Sequence, residues 1–243
     1  MIEFSGSGIL LDIEGTTSSV SFVYDVMFPF ARRELDAFLE KHWGQASVDG
    51  VCEQVADDAG HDSFAIWCAE NASVAPKDLL RDEVVRLMDG DAKVTGLKSL
   101  QGLIWRSGFE SGELRGHVYP DVVPAIDAWR ANGCDVRVYS SGSVTAQKLF
   151  FGYSQAGDLL DRFSGHYDTT IGPKKDAASY SRIGEDFGLA AADILFLSDV
   201  VAELDAAALS GMATALCLRP GNAAAAADQA HPTIESFAEI GSC

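Results

Sequence analysis

The sequence predicts an α/β fold: a parallel sheet covered by helices and interrupted after its first strand by a long all-helical insertion. Three observations predict it. The apolar run Gly8 to Asp12 (GILLD) ends in an acid and reads as a buried first strand. From about residue 20 to about residue 115, apolar residues recur only at helical spacing. After Tyr119-Pro120-Asp121, strand and helix patterns alternate, as βαβ units require.

Each element follows in order. Gly15, Thr16 and Thr17 break the first strand. Phe22, Val26, Phe30, Leu35, Phe38 and Leu39 then predict a helix from Val20 to Trp43. Further helices are predicted over Asp49 to Ala59, Asp78 to Asp89 and Leu97 to Phe109. Beyond the Tyr-Pro-Asp break, a helix from Val122 to Ala131 stops at Asn132-Gly133. Strand Val136 to Tyr139 ends at Ser140-Ser141-Gly142-Ser143, ahead of a helix from Val144 to Phe151. Tyr167 to Ile171 is read as a third strand and Ser179 to Phe187 as a helix. Ile194 to Leu197 (ILFL) is a compact strand ending in Ser198-Asp199. Helix Ala202 to Ser210 and strand Ala213 to Leu218 close the alternation. The Ala-rich piece Ala223 to Ala227 reads as a helix start or a surface loop. These boundaries give a core of residues 1–18 and 118–243, with an insertion of residues 19–117.

Bulk properties narrow the function. Apolar residues make up 47% of the 243 residues, enough to build a full core. Lys plus Arg number 18 against 36 Asp plus Glu, a formal charge of −18. Such a chain repels nucleic acids and anionic lipid surfaces, so neither is expected as a partner. An anionic substrate needs local positive charge from a metal, a lysine or helix N-termini. The cysteines at 52, 68, 134, 217 and 243 form no CxxC pair, which argues against a disulfide framework or a cysteine zinc site. Reduced thiols in a cytoplasmic protein are expected. The N-terminus lacks a signal-peptide pattern. No apolar run approaches the roughly 20 residues of a membrane span. A monomer is expected.

The chemistry collects where strands end. Asp12, Ser140 and Asp199 each follow a predicted strand, and open α/β sheets bind ligands outside the carboxyl ends of their strands. In Asp12-Ile13-Glu14, one carboxylate can attack phosphorus while the other serves as general acid and then base. The same residues also suit a turn or an N-cap. Asp12 and Asp199 can supply oxygen ligands to Mg²⁺, which takes one or two carboxylates plus substrate phosphate and water. Glu203, one helical turn past Asp199, can orient that site or lie on a solvated face. Ser140 to Ser143 can cradle phosphate or merely cap a helix. Lys174 and Lys175, after Gly172-Pro173, offer a cation for a transferring phosphoryl group, or an ordinary loop lysine. The five His residues show no ligand spacing.

Taken in order, these motifs resemble the haloacid dehalogenase-like hydrolases. The carriers are Asp12-Ile13-Glu14-Gly15-Thr16-Thr17, Ser140 at its strand end, the loop lysine, and Ser198-Asp199 with Glu203. More narrowly, the chain is similar to the enolase-phosphatases of methionine salvage. LLDIEGTTSSVSFV, LQGLIWR, DVVPAIDAWR, YSSGSVTAQKLFFG, ILFLSDVVAE and RPGN carry that likeness. Glu14 sharpens it, because most superfamily phosphatases have Asp there. The resemblance implies a Rossmann-like core with a helical cap, and phosphate transfer through an aspartyl-phosphate. It implies one Mg²⁺ per subunit on Asp12, Glu14 (partly through its carbonyl) and Asp199, with Glu203 behind them. Phosphate contacts fall on Ser140, Ser141 and Lys174, and catalytic roles on Asp12, Glu14 and Lys174. The loop spacing favours Lys174 over Lys175, although Lys175 replaces the family's usual apolar residue. The implied substrate is 2,3-diketo-5-methylthiopentyl-1-phosphate, converted to the acireductone in L-methionine salvage. Alternatives are a related phosphatase for another small ester, a metal-free dehalogenase, and a non-catalytic phospholigand binder.

Overall fold

The structure, a computed structural model, describes residues 1–224 and 229–241. Of the Ala-rich stretch, residues 225–227 lie outside the described residues. The chain divides into two compact units, Met1–Tyr24 with Arg115–Cys243, and Asp25–Leu114. Residues 19–24 fall in the first unit because Phe22 stacks on His117 and meets Phe150 edge-on.

The first unit is a six-stranded, wholly parallel sheet in the order β3-β2-β1-β4-β5-β6. Its strands are β1 (Gly8–Leu11), β2 (Asp135–Tyr139), β3 (Gly165–Tyr167), β4 (Ile194–Ser198), β5 (Ala213–Cys217) and β6 (Thr233–Ile234). β1 and β4 are buried along their whole length, hence their unbroken apolar runs. Side chains alternate between the two faces. Leu10, Tyr139, Ile194 and Phe196 join Tyr180 and Ile183 of α8 (Ala177–Phe187) and Leu204 of α9 (Val201–Leu209) in one apolar cluster. Right-handed crossovers put α6 (Val122–Ala131) and α7 (Val144–Gly152) over the other face. There Val122, Ala125, Ile126 and Trp129 form the buried stripe of α6, and Trp129 packs on Phe237. Strand order reverses direction between β1 and β4, the place where open sheets of this kind bind ligands.

One predicted strand differs from the observed one, and one observed strand has no counterpart in the sequence pattern. The third strand lies at Gly165–Tyr167 and not at Tyr167 to Ile171, because Asp168 begins a turn. Its carboxylate accepts from the Thr170 N–H and hydroxyl and from the Val144 N–H, which ends the ladder. The two-residue β6 is too short to produce an alternating pattern.

The second unit is all helical: α1 (Phe28–His42), α2 (Ala46–Asp58), α3 (Phe64–Glu70), α4 (Pro76–Asp89) and α5 (Thr95–Ser111). The helix expected from Val20 to Trp43 is present, unbroken from Val20 to His42, with a π-helical stretch, Phe22–Met27, ahead of α1. Pro29, near the α1 N-terminus, has no N–H to donate to the helical ladder. α3 carries no readable stripe and is set by Ser63, whose hydroxyl accepts from the Ile66 N–H at 3.2 Å. Buried Val48, Val51, Cys52 and Val55 of α2 and Leu97, Leu100 and Ile104 of α5 follow helical spacing.

Cys52, Cys68 and Cys217 are free. Cys134 is disulfide-bonded, which corrects the expectation of thiols at every position. Sequence spacing gives no signal for a single such bond, since pairing depends on spatial approach. Cys243 lies outside the described residues. Among the described residues no helix is long and apolar enough to cross a membrane.

Candidate active site

Asp12 continues the β1 ladder by donating its N–H to the Leu197 carbonyl at 3.0 Å. The alternation of β1 turns its side chain to the face of Leu10, toward α9. The loop after it is wound tightly: the N–H groups of Thr16, Thr17 and Ser18 all donate to the Ile13 carbonyl. The Thr17 hydroxyl donates to the Asp12 and Ile13 carbonyls, both at 3.2 Å. Gly15 holds φ +67°, and a Cβ there would lie 2.2 Å from Asp199 Oδ2. Glycine is required at this position both for its left-handed backbone and for the room it leaves to Asp199.

Asp12 is only 4% exposed, and its carboxylate is saturated with partners. Oδ1 accepts from the Ile13 N–H at 2.7 Å and pairs with Lys174 Nζ at 2.8 Å. Oδ2 accepts from the Ser198 hydroxyl at 3.2 Å. Lys174 Nζ also reaches Glu203 Oε2 at 2.5 Å, and Glu203 Oε2 lies 3.1 Å from the Ser198 hydroxyl. Four buried polar side chains from β1, β4, α9 and the loop before α8 thus form one closed network at the switch point.

Lys174 is held from its own backbone. The Tyr180 hydroxyl donates to the Lys174 carbonyl at 2.7 Å, and the Tyr139 hydroxyl donates to the Gly172 carbonyl at 2.9 Å. Nζ lies 5.7 Å from the centre of the Tyr139 ring. Burial works against the ammonium charge, but Asp12 and Glu203 outweigh it and raise the Lys174 pKa above the usual range. Lys175 is exposed. The carboxyl of Glu203 is pushed up to about 7, first by burial and then by Asp12. Asp199, just past β4, is also pushed up to about 7 by burial and then by Asp12.

Ser140 is buried at the end of β2, where its N–H donates to the Tyr167 carbonyl at 3.2 Å and its hydroxyl accepts from the Gly142 N–H at 3.2 Å. Ser141 is exposed. Ser143 caps α7, accepting from the Ala146 N–H at 3.2 Å. Helix capping therefore falls to Ser143 and leaves Ser140 and Ser141 outside the helix. Gln147 ties the loop down, donating to the carbonyls of Gly142 and Tyr167 at 2.8 and 2.7 Å.

The structure brings Asp12, Lys174, Glu203 and Ser198 into direct contact and sets Asp199 against Gly15. Glu14 lies in the same loop, half-buried. In sequence Ser198 stands only as part of a motif, yet its hydroxyl links two carboxylates. Tyr139, Tyr180, Arg219 and Asn222 were assigned no role in the sequence, although they position the loops. Arg219 Nε donates to the Thr16 carbonyl at 3.0 Å, and Asn222 Nδ2 donates to the Gly15 carbonyl at 2.8 Å. The conspicuous RPGN turn was the one available signal for the last two.

The donor set suits a hard divalent cation. Asp12 and Asp199 bring two carboxylates to one edge, where burial and then Asp12 hold Asp199 up to about 7. Among the described residues no group of three or more His, Cys, Asp or Glu side chains forms a cage. Mg²⁺ needs none, since waters and a substrate phosphate complete its shell.

The family model for haloacid dehalogenase-like hydrolases matches residues 7–211. Enolase-phosphatase E1 of Pseudomonas aeruginosa is 49% identical over 234 residues, covering 96% of each chain. Enolase-phosphatase E1 of Sorangium cellulosum is 45% identical over 99% of each. Among solved structures, the UTR4 protein of Saccharomyces cerevisiae superposes with a TM-score of 0.80 at 34% identity, over 97% of this chain and 100% of that one. CbbY from Rhodobacter sphaeroides in complex with phosphate, at 14% identity and a TM-score of 0.61 over 98% of this chain and 97% of that one, shares the fold.

Proposed function

The chain belongs to the haloacid dehalogenase-like hydrolases, within their enolase-phosphatase E1 group, and from that premise we propose that it converts 2,3-diketo-5-methylthiopentyl-1-phosphate to the acireductone and phosphate in methionine salvage. The observation that supports this most is the buried Asp12–Lys174–Glu203–Ser198 network at the carboxyl edge of the sheet. A carboxylate so placed is dry, oriented and next to a fixed cation.

In this reading Asp12, Glu14 (partly through its carbonyl) and Asp199 would hold one Mg²⁺ per subunit. When bound, that ion supplies Lewis acidity and neutralises the substrate phosphate. Ser140, Ser141 and Lys174 hold the phosphate oxygens. Glu14 takes the C1 proton, and the C2 oxygen gains a proton from water. Asp12 then attacks phosphorus while Glu14 returns its proton to the leaving C1 oxygen, giving the aspartyl-phosphate and the enol. Glu14, ionised again, takes a proton from a water that attacks the phosphoryl group, releasing phosphate and restoring Asp12, and then gives that proton to the hydroxide left when the C2 oxygen was protonated, so it too returns to its starting state. Lys174 balances charge on the transferring group, and Glu203 and Ser198 keep Lys174 and Asp12 in place. The reading also takes the protein to be a cytoplasmic monomer.

The test follows enol absorbance and phosphate release together on the synthetic diketone phosphate, with Mg²⁺ and with chelator. Enol ahead of phosphate, both needing Mg²⁺, is expected. Asp12→Ala should lower phosphate release by on the order of 10⁴-fold or more. Release from other esters but not this one would keep the nucleophile and reject the substrate. Undiminished release by Asp12→Ala would reject the nucleophile.

A further inference from the structure

The turn that follows β5 has a geometry set by its sequence. Arg219-Pro220-Gly221-Asn222 places Pro second and Gly third, with Gly221 at φ +89°, and the Asn222 N–H donates to the Arg219 carbonyl at 3.1 Å. That is a type II turn, and it sends the fourth side chain back over the strand edge. Asn222 Nδ2 donates to the carbonyls of both Gly15 and Cys217, at 2.8 and 3.0 Å. Both amide protons are thereby used, which fixes which way the carboxamide faces. Its oxygen, Oδ1, is buried without a hydrogen-bond partner.

That oxygen has a definite neighbour. A Cβ on Gly15 would lie 2.9 Å from Asn222 Oδ1 and 2.2 Å from Asp199 Oδ2. A carboxamide oxygen and a carboxylate oxygen therefore both border the space beside Gly15. A buried acceptor such as Asn222 Oδ1 is favourable there only if a group in that space donates to it. A water on a divalent cation is such a group, with strongly polarised protons.

We propose that Asn222 is a positioning residue for the cation site. Its Nδ2 pins the backbone of the Asp12–Glu14 loop to the end of β5, and its Oδ1 accepts from a water on the divalent cation beside Asp199. This rests on the divalent-cation part of the reading above. Partners of that kind typically change metal affinity by about 10- to 100-fold when removed.

The test measures metal binding without substrate, by calorimetry with Mg²⁺ and by electron paramagnetic resonance with Mn²⁺. Wild type, Asn222→Ala, Asn222→Asp and Asp199→Asn are compared, with metal-free circular dichroism melts for each. Asn222→Ala should weaken both ions by about 10-fold. Asn222→Asp, which keeps an acceptor oxygen and loses the donor, should recover binding to near wild type or above. If Asn222→Ala is unfolded, Asn222→Ser replaces it, with the same weakening expected. Unchanged affinity in the folded alanine or serine variant, while Asp199→Asn loses binding, would overturn the role of Asn222 alone. Failure of wild type to bind either ion would overturn the cation site itself.

Discussion

Lys174 is a charge that folding has removed from water and surrounded with acids. It is 7% exposed and touches two carboxylates, Asp12 and Glu203. Breaking such a set leaves unpaired buried charge, so Lys174→Met is expected to destabilise the core by about 3 kcal/mol. The sign of the pH dependence follows. Glu203 and Asp199 already lie at about 7 when folded, above the unfolded value of about 4, and lose a cation in the variant. Losing the cation raises both carboxyls further, so wild type and variant part company only where the wild-type groups begin to ionise, and the deficit grows as pH rises past about 7. Urea titrations of both proteins at pH 5 and pH 8 should show the larger loss at pH 8. An equal loss at both would contradict the ion-pair account. The sequence offered Lys174 and Lys175 as equals on local chemistry. What separates them is Tyr180, six residues on, whose hydroxyl holds the Lys174 carbonyl after α8 folds onto the sheet.

At the scale of elements, close approach of α2 and α5 organises the helical unit. Gly96 permits it: a Cβ there would meet the Val55 backbone nitrogen at 2.7 Å. The N-terminus of α5 is capped from α2, since Asp58 Oδ2 accepts from the Gly96 N–H at 2.6 Å. Gly102, in the same helix, has nothing within 4 Å of a would-be Cβ. The two positions should therefore answer Ala with opposite signs. Gly102→Ala should stabilise by about 0.5–1 kcal/mol through helix propensity. Gly96→Ala should lose about 1 kcal/mol or more, because overpacking against backbone exceeds that gain. Denaturant melts of the two variants decide it, and a gain at Gly96 would refute the close-packing account. Neither the cap nor the distinction between the two glycines was legible in sequence, because each depends on a helix some 40 residues away in the chain.

At the scale of the whole molecule, the charge of −18 works against compactness. Raising NaCl from about 10 mM to about 150 mM shortens the range of that repulsion to about 8 Å and should raise the melting temperature. A fall across that range would mean that the exposed ion pairs outweigh the net charge.

Local patterns in the chain were enough for the α/β class, the helical insertion and the residues at the strand ends. Those features are written in local periodicity, and β1 and β4 announce themselves because a strand covered on both faces must be apolar throughout. Asp12, Glu14, Ser140, Asp199 and Glu203 could be named because each sits at a fixed offset from such a run, whereas Lys174 was separated from Lys175 only by the family's loop spacing. Tertiary structure alone decided which of them touch. The strand order brings Asp12 beside Ser198, and α9 carries Glu203 to Lys174. The turn at Asn222 reaches the Gly15 carbonyl across 207 positions of chain. Contacts of that span arise from strand pairing and helix crossover, which no local pattern of residues encodes.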